Sequence, residues 1–194
     1  EGDVRLLRAT DFPTKWERTE TLLNGRFCDS VLLEKDGTEY LLTQELGESF
    51  AYDTLSVFIK KGGEYAPLCT AALGRGCSRA AGALIKQGGG YIRPAQDCRK
   101  TYGGAVVFRR IVSIGTDGCE EEDMARVCAK DIKLCKGRRR LSGVHTYNVC
   151  GGMETVDLKR ERRFQICNII NLVRRAPRRV LHRSRTRAAD TGEN

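Results

Sequence analysis

Two histidines and no CxxC pair in 194 residues leave the chain without the ligand spacing of a structural zinc site. No Ser or Cys stands in a recognisable nucleophile elbow, so nothing points to acyl transfer. Proline is scarce: four residues, against twenty-one glycines, a balance that suits many tight turns and an all-β chain. No apolar run approaches the length of a bilayer span, and the first residues carry no signal-peptide pattern. The chain begins at Glu1 rather than Met, as a processed chain or a fragment does.

What is present is a hydrophobic content of 40%, enough to fill one sizeable core at this length and to exclude disorder over most of the chain. The net charge of +9 is concentrated at one end. Residues 159–187 hold eleven Lys and Arg against one acid, which leaves residues 1–158 nearly neutral. The basic balance is thus no argument that the globular part binds nucleic acid, a role left only to the tail. The nine cysteines (Cys28, Cys69, Cys77, Cys98, Cys119, Cys128, Cys135, Cys150 and Cys167) are many for a reduced cytosolic protein. Cys69 with Cys77, or Cys128 with Cys135, closes a disulfide loop in an oxidising lumen; otherwise they act as small buried hydrophobes.

One pattern is written twice between Asp29 and Tyr102. An apolar run, a Gly turn and a Tyr-opened apolar run occur at residues 30–42 and again at 81–93. Leu33 and Leu84, Gly37 and Gly88, and Tyr40 and Tyr91 are each 51 residues apart. A further apolar strand follows each hairpin, at residues 54–58 and 105–108. A period near this length with three successive strands is how a propeller blade reads in sequence. Two unrelated hairpins in a sandwich give the same signal.

Along the chain, residues 4–8 read as a short strand, residues 11–16 as a turn delivering the only Trp, and residues 16–23 as a weak edge strand. Asn24-Gly25 reads as a turn. In a propeller the first strand of each blade lines the central channel, so Arg26 and Asp29, at the mouth of one, face a pocket and hold sugar hydroxyls, or pair to close a turn. A second polar cluster, Arg93, Gln96, Asp97, Arg99 and Tyr102, lies on a Pro-containing segment that is no helix interior. Its planar, multidentate groups and one aromatic face suit a hydroxyl-rich ligand; alternatively Arg99 and Asp97 satisfy each other. His145, flanked by Thr146, Tyr147 and Asn148, is a further pocket candidate. Residues 136–140 form a basic turn, and Met153–Leu158 pairs back as a hairpin across Gly151-Gly152. Residues 164–173 carry apolar positions at helical spacing and run into a basic segment over 174–183, in which Pro177 stops the helix. That reads as a rim-packed helix with a disordered tail, or as an amphipathic basic helix on a membrane or RNA.

Five stretches in this order, Arg5–Glu17, Leu22–Ser30, Tyr91–Cys98, Tyr102–Ala105 and Val144–Asn148, resemble the propeller-like domain at the N-terminus of plant glucosamine inositolphosphorylceramide transferase. The resemblance covers about residues 4–160. It implies a five-bladed architecture like that of many glycoside hydrolases, and work on a glycan or sugar nucleotide, in the Golgi or secretory lumen if the plant role holds. Blades of this length make about three here, starting at the family's middle, and the plant enzyme's glycosyltransferase domain is absent. A glycosidase needs two carboxyl groups across a bond. This chain offers Asp29 and Asp97 without the acids of the missing blades.

The expectation is therefore all-β: a partial β-propeller over residues 1–160, then a C-terminal basic helix and tail over 161–194. It contributes a glycan-recognition surface to a glycan-modifying protein, uses no cofactor or metal, and is not catalytic alone. A partner domain or chain would complete the propeller. The expected ligand contacts are Arg26, Asp29, Arg93, Gln96, Asp97, Arg99, Tyr102 and His145. The competing expectation is a diverged interaction module whose tail binds RNA or an anionic membrane surface.

Overall fold

The structure is a computed structural model, and it describes residues 2–47, 54–73, 76–133 and 141–160. They form eleven strands, one 3-10 turn at Ala129–Asp131 and no α-helix. The all-β expectation holds; the C-terminal helix and the basic turn at 136–140 fall outside the described residues.

Strands β1 (Gly2–Asp11), β2 (Lys15–Lys35), β3 (Thr38–Glu45), β4 (Thr54–Lys61) and β5 (Glu64–Ala72) form one antiparallel sheet in chain order. Strands β6 (Ile85–Gln87), β7 (Gly90–Asp97), β8 (Ala105–Gly115) and β9 (Gly118–Cys128) form a second, and β10 (Leu141–Cys150) with β11 (Met153–Arg160) a third. Every neighbour in a sheet is also a neighbour in sequence, and several of the connections are two-residue turns that return the chain at once. At the turn after β2, Asp36 and Gly37 take φ 53° and 74°, and after β6 Gly88 and Gly89 take 56° and 77°. Positive φ at both central residues is the hairpin geometry that matches strand twist, and Gly and Asp tolerate it.

Both hairpins expected from the repeat are present, each followed by its third strand, and each meander gains a fourth, β5 and β9. The spacing differs by one residue. The turn pairs sit 52 apart, because Lys35 pairs with Thr38 while Gln87 pairs with Gly90. Tyr40 pairs with Leu33 and is buried, whereas Tyr91 pairs with Lys86, packs half-buried against the same core and donates its hydroxyl to the Glu34 carbonyl at 2.5 Å.

β2 is 21 residues long, about 70 Å if fully extended and far beyond an ordinary strand. It serves two partners, pairing with β1 as far as Phe27 and with β3 from Phe27 onward. The turn expected at Asn24-Gly25 does not form. The chain runs on through Gly25 at φ 146°, whose N–H donates to the Asp3 carboxylate at 3.1 Å. That bond holds the segment against β1 in place of a reversal.

The core lies between sheet faces. Leu33, Leu42, Leu55 and Val57 of the first sheet meet Ile111, Ile114 and Cys119 of the second. Ala81 and Val106 meet Val144 of β10, with Phe108 edge-on to Tyr147 at 4.9 Å between centroids. On the far side of the first sheet, Leu23 and Phe27 pack on Leu41 and Phe58. The seven described cysteines are free thiols, so Cys69 and Cys77 are not joined; the expected Cys128–Cys135 loop involves Cys135, which falls outside the described residues. Burial pushes Cys119 up to about 12, as expected of a thiol acting as a core hydrophobe.

Candidate functional site

A cleft of about 460 Å³ opens where one segment from each sheet converges. Residues 29–32 of β2 form one wall, residues 80–84 ahead of β6 the second, and His145, Thr146 and Asn148 of β10 the third; Gln96 of β7 is also in its lining.

Two of the polar residues are placed by β-bulges. The β2–β3 ladder shifts between Cys28 and Val31, and Asp29 in that bulge takes φ 51°, a left-handed conformation that Asp tolerates better than most side chains. The β10–β11 ladder shifts between Val144 and Thr146, which makes His145 the extra residue. A bulge re-aims a side chain that strict alternation would send to the other face, and both side chains line the cleft. The second wall is built of small residues, Ala80 to Ala83, so that β10 can close on it. The Tyr147 N–H donates to the Ala81 carbonyl at 2.8 Å, and a Cβ on Gly82 would lie 1.9 Å from the Tyr147 oxygen. Asn148 Oδ1 accepts from the Ala83 N–H at 2.9 Å.

A chain of polar contacts links the walls. The Asp29 carboxylate pairs with the Arg79 guanidinium and accepts from Gln96 Nε2 at 3.1 Å; the same amide donates to the Ala80 carbonyl at 2.9 Å. The Arg79 guanidinium lies 5.3 Å from the Tyr102 ring centre. The Tyr102 hydroxyl is 2.9 Å from His145 Nε2, and His145 Nδ1 is 3.1 Å from Asp157 Oδ2. Burial draws the Arg79 pKa down, and the Asp29 hydrogen bond and charge more than offset it, so Arg79 stays cationic.

The structure thus brings together Asp29, Gln96, Tyr102 and His145 of the expected contacts. It adds Arg79 and Asp157, which sequence reasoning missed because each stands alone in an unremarkable stretch. The other four lie elsewhere. Arg93 and Asp97 alternate with Gln96 along β7 and take the opposite face of the strand. Arg93 is fully buried, and Glu121 holds it bidentately at 2.8 and 2.7 Å while also accepting from Arg109 at 2.9 Å. Asp97 accepts from Arg99 at 2.8 and 2.7 Å and from Arg126 at 2.8 Å. The Arg99 hydrogen bonds, against burial and helped by Arg126, hold its carboxyl well below the usual carboxylate range. Arg99 and Asp97 therefore satisfy each other, the alternative the sequence left open. Arg26 is exposed and outside the cleft lining; its backbone carbonyl accepts from the Leu46 N–H at 2.8 Å.

Among the described residues lining the cleft, Asp29 is the single carboxylate. Asp97 sits behind the strand, so the two carboxyl groups do not face one bond. Among the described residues no cluster of His, Cys, Asp and Glu is placed to hold a metal ion.

The chain is thus an all-β arrangement of two four-stranded meanders and a two-stranded ribbon, with segments of all three sheets lining one cleft. Residues 1–150 match the family model described as glucosamine inositolphosphorylceramide transferase 1, N-terminal, and the chain belongs to that family. No curated protein matches it.

Proposed function

We propose that the chain is a sugar-recognising, propeller-derived domain of a glycan-modifying protein and that it does not turn over its ligand alone. The observation that carries this reading is the cleft, walled by β2, by the segment ahead of β6 and by β10, with Gln96 of β7 and a single carboxylate, Asp29, in its described lining. Inner strands converging on a common hollow are how propeller blades are set, and such hollows bind ligands. The family description supports a glucosamine- or inositol-bearing glycan as the ligand class.

Each group has a role suited to hydroxyls. Asp29 accepts from a pair of neighbouring hydroxyls while Arg79 and Gln96 hold it in place. Tyr102 is half exposed and offers a ring face for a sugar's C–H surface. His145, braced by Asp157, presents Nε2 to Tyr102 and so fixes where that hydroxyl points.

The test is titration of the chain with glucosamine, N-acetylglucosamine, inositol phosphate and a glucosamine-inositol phosphate headgroup, followed by ligand-observed NMR. Saturable binding that Asp29→Asn and Tyr102→Ala each weaken by about tenfold or more supports the reading. Binding that survives both substitutions but is lost on deleting residues 161–194 overturns it in favour of a tail-borne interaction.

A further inference from the structure

Two stretches of the fold are half-sheets. The meanders β2–β5 and β6–β9 each set four strands side by side, whereas the ribbon of β1 with the first half of β2, and the ribbon β10–β11, hold two strands each. Among the described residues β1 pairs only with β2, and β11 only with β10. A two-stranded ribbon is marginally stable by itself, and an unpaired row of N–H and C=O groups is a template for another strand. Exposed apolar surface gathers at the same places. Of eleven large hydrophobics exposed among the described residues, Leu6, Leu7, Phe12 and Trp16 lie on the first ribbon, and Val149, Met153 and Val156 on the second.

Over residues 3–9 the outer strand β1 is regular: the ladder irregularities there fall on β2, where Leu22 and Thr19 are the extra residues, and the one extra residue on β1 is Thr10, near the turn. In the second ribbon the irregularities fall on β10, at Ser142 and His145, and β11 runs without interruption from Met153 to Arg160. Residues 3–9 of β1 and 153–160 of β11 thus each offer an unbroken outer edge.

We propose that the outer edge of β11 in one copy of this chain takes the outer edge of β1 from a second copy, antiparallel, to make one four-stranded sheet in the order β10-β11-β1-β2. The occupant is a second copy because the two edges read each other. Setting Asp3 opposite Lys159 also sets Arg5 opposite Asp157 and Arg8 opposite Glu154, while Val4 meets Leu158 and Leu6 meets Val156. Opposite charges and matched apolar side chains directly across a ladder stabilise it, and like charges there oppose it. The match is specific to that register. A slip of one residue puts Val4 or Leu6 opposite Asp157, and a slip of two puts Asp3 opposite Asp157 or Arg5 opposite Lys159.

The contact is head to tail, one β11 edge against one β1 edge. Two copies joined at both pairs of edges hold six four-stranded sheets, a number within the range with which propellers close. That closure rests on the propeller reading; the β1–β11 pairing rests on the edges alone and is independent of any sugar. It also reaches the cleft, since β10 carries His145 and β11 carries Asp157.

The experiment is charge exchange across the joint in the 194-residue chain, with mass read by sedimentation over a wide concentration range. Arg8 and Glu154 suit it because both are exposed and neither lines the cleft, although Glu154 also meets the Tyr147 hydroxyl. The unaltered chain is expected to associate, Arg8→Glu and Glu154→Arg each to weaken association by about tenfold or more, and the double variant to restore it. Amide exchange on the unaltered chain gives a reading that needs no variant: protection at residues 4–9 and 153–160 is expected to rise with concentration. A chain that stays single at every concentration, protection that does not change, or a double variant no better than the single ones overturns the proposal. Sugar titration of the same samples reports separately on the cleft.

Discussion

The Asp29 carboxylate and the Gln96 amide meet at 3.1 Å although they belong to different sheets, β2 in the first and β7 in the second. That bond, with the Arg79 pair beside it, ties two walls of the cleft together. Gln96→Leu removes the donor to Asp29 and to the Ala80 carbonyl at once. The expected result is a loss of about 1–3 kcal/mol in unfolding free energy, measured by urea titration, with weaker sugar binding in the same variant.

Glu121 neutralises two buried guanidinium groups, Arg93 and Arg109. Glu121→Gln keeps the shape and removes the charge, which leaves Arg93 uncompensated. The expected cost is about 3–5 kcal/mol, read as a fall in denaturation midpoint. Arg93→Met with Glu121→Leu removes the Arg93 pair whole and leaves Arg109 paired with Asp123, and is expected to cost less than Glu121→Gln alone.

Asp97 gives the fold an acid limit. Its carboxyl is held below the ordinary range in the folded chain by Arg99 and Arg126, so the unfolded chain takes up the proton first as pH falls. The stability this contributes is full above the ordinary Asp value of about 3.9 and drains away as the pH drops below it toward the folded value. Thermal melts of the chain and of Asp97→Asn are expected to differ most at neutral pH and to converge in acid. A gap that is constant with pH would contradict the assignment.

Gly82 and Gly143 set how closely β10 can dock. A Cβ on Gly82 would stand 1.9 Å from the Tyr147 oxygen, and one on Gly143 2.0 Å from the Gly103 oxygen. Both clashes are with backbone, which has no rotamer to yield. Gly82→Ala is expected to displace β10, break the Tyr147 to Ala81 hydrogen bond and open the third wall of the cleft. Loss of amide protection at Tyr147, with protection retained at β3 and β4, is the readout.

How much of this was legible before the structure depends on the kind of signal. The strands of the two meanders were readable because apolar runs and Gly turns act locally, and Gly37 and Gly88 each sit in a turn that needs positive φ. The 51-residue spacing of the tyrosines differs by one residue from that of the turns, so Tyr40 and Tyr91 take different pairing partners although both pack on one core. Asn24-Gly25 looked like a turn since its partner for straightness, the Asp3 carboxylate, comes from another strand. In the polar cluster on β7, residue type identified hydrogen-bonding groups but not direction. Strand alternation sends Gln96 to the cleft and Arg93 and Asp97 behind it. Asp29 and His145 were readable as polar positions, whereas the bulges that aim them come from pairing with β3 and β11.

One continuous strand has a mechanical consequence. β2 leaves the exposed hairpin at Trp16, passes through the ribbon, and carries Asp29 into the cleft before turning at Lys35. Whatever grips the exposed aromatic tip therefore holds one end of a lever whose other arm bears the Asp29 carboxylate. Torque applied at Phe12 and Trp16 is felt in the cleft.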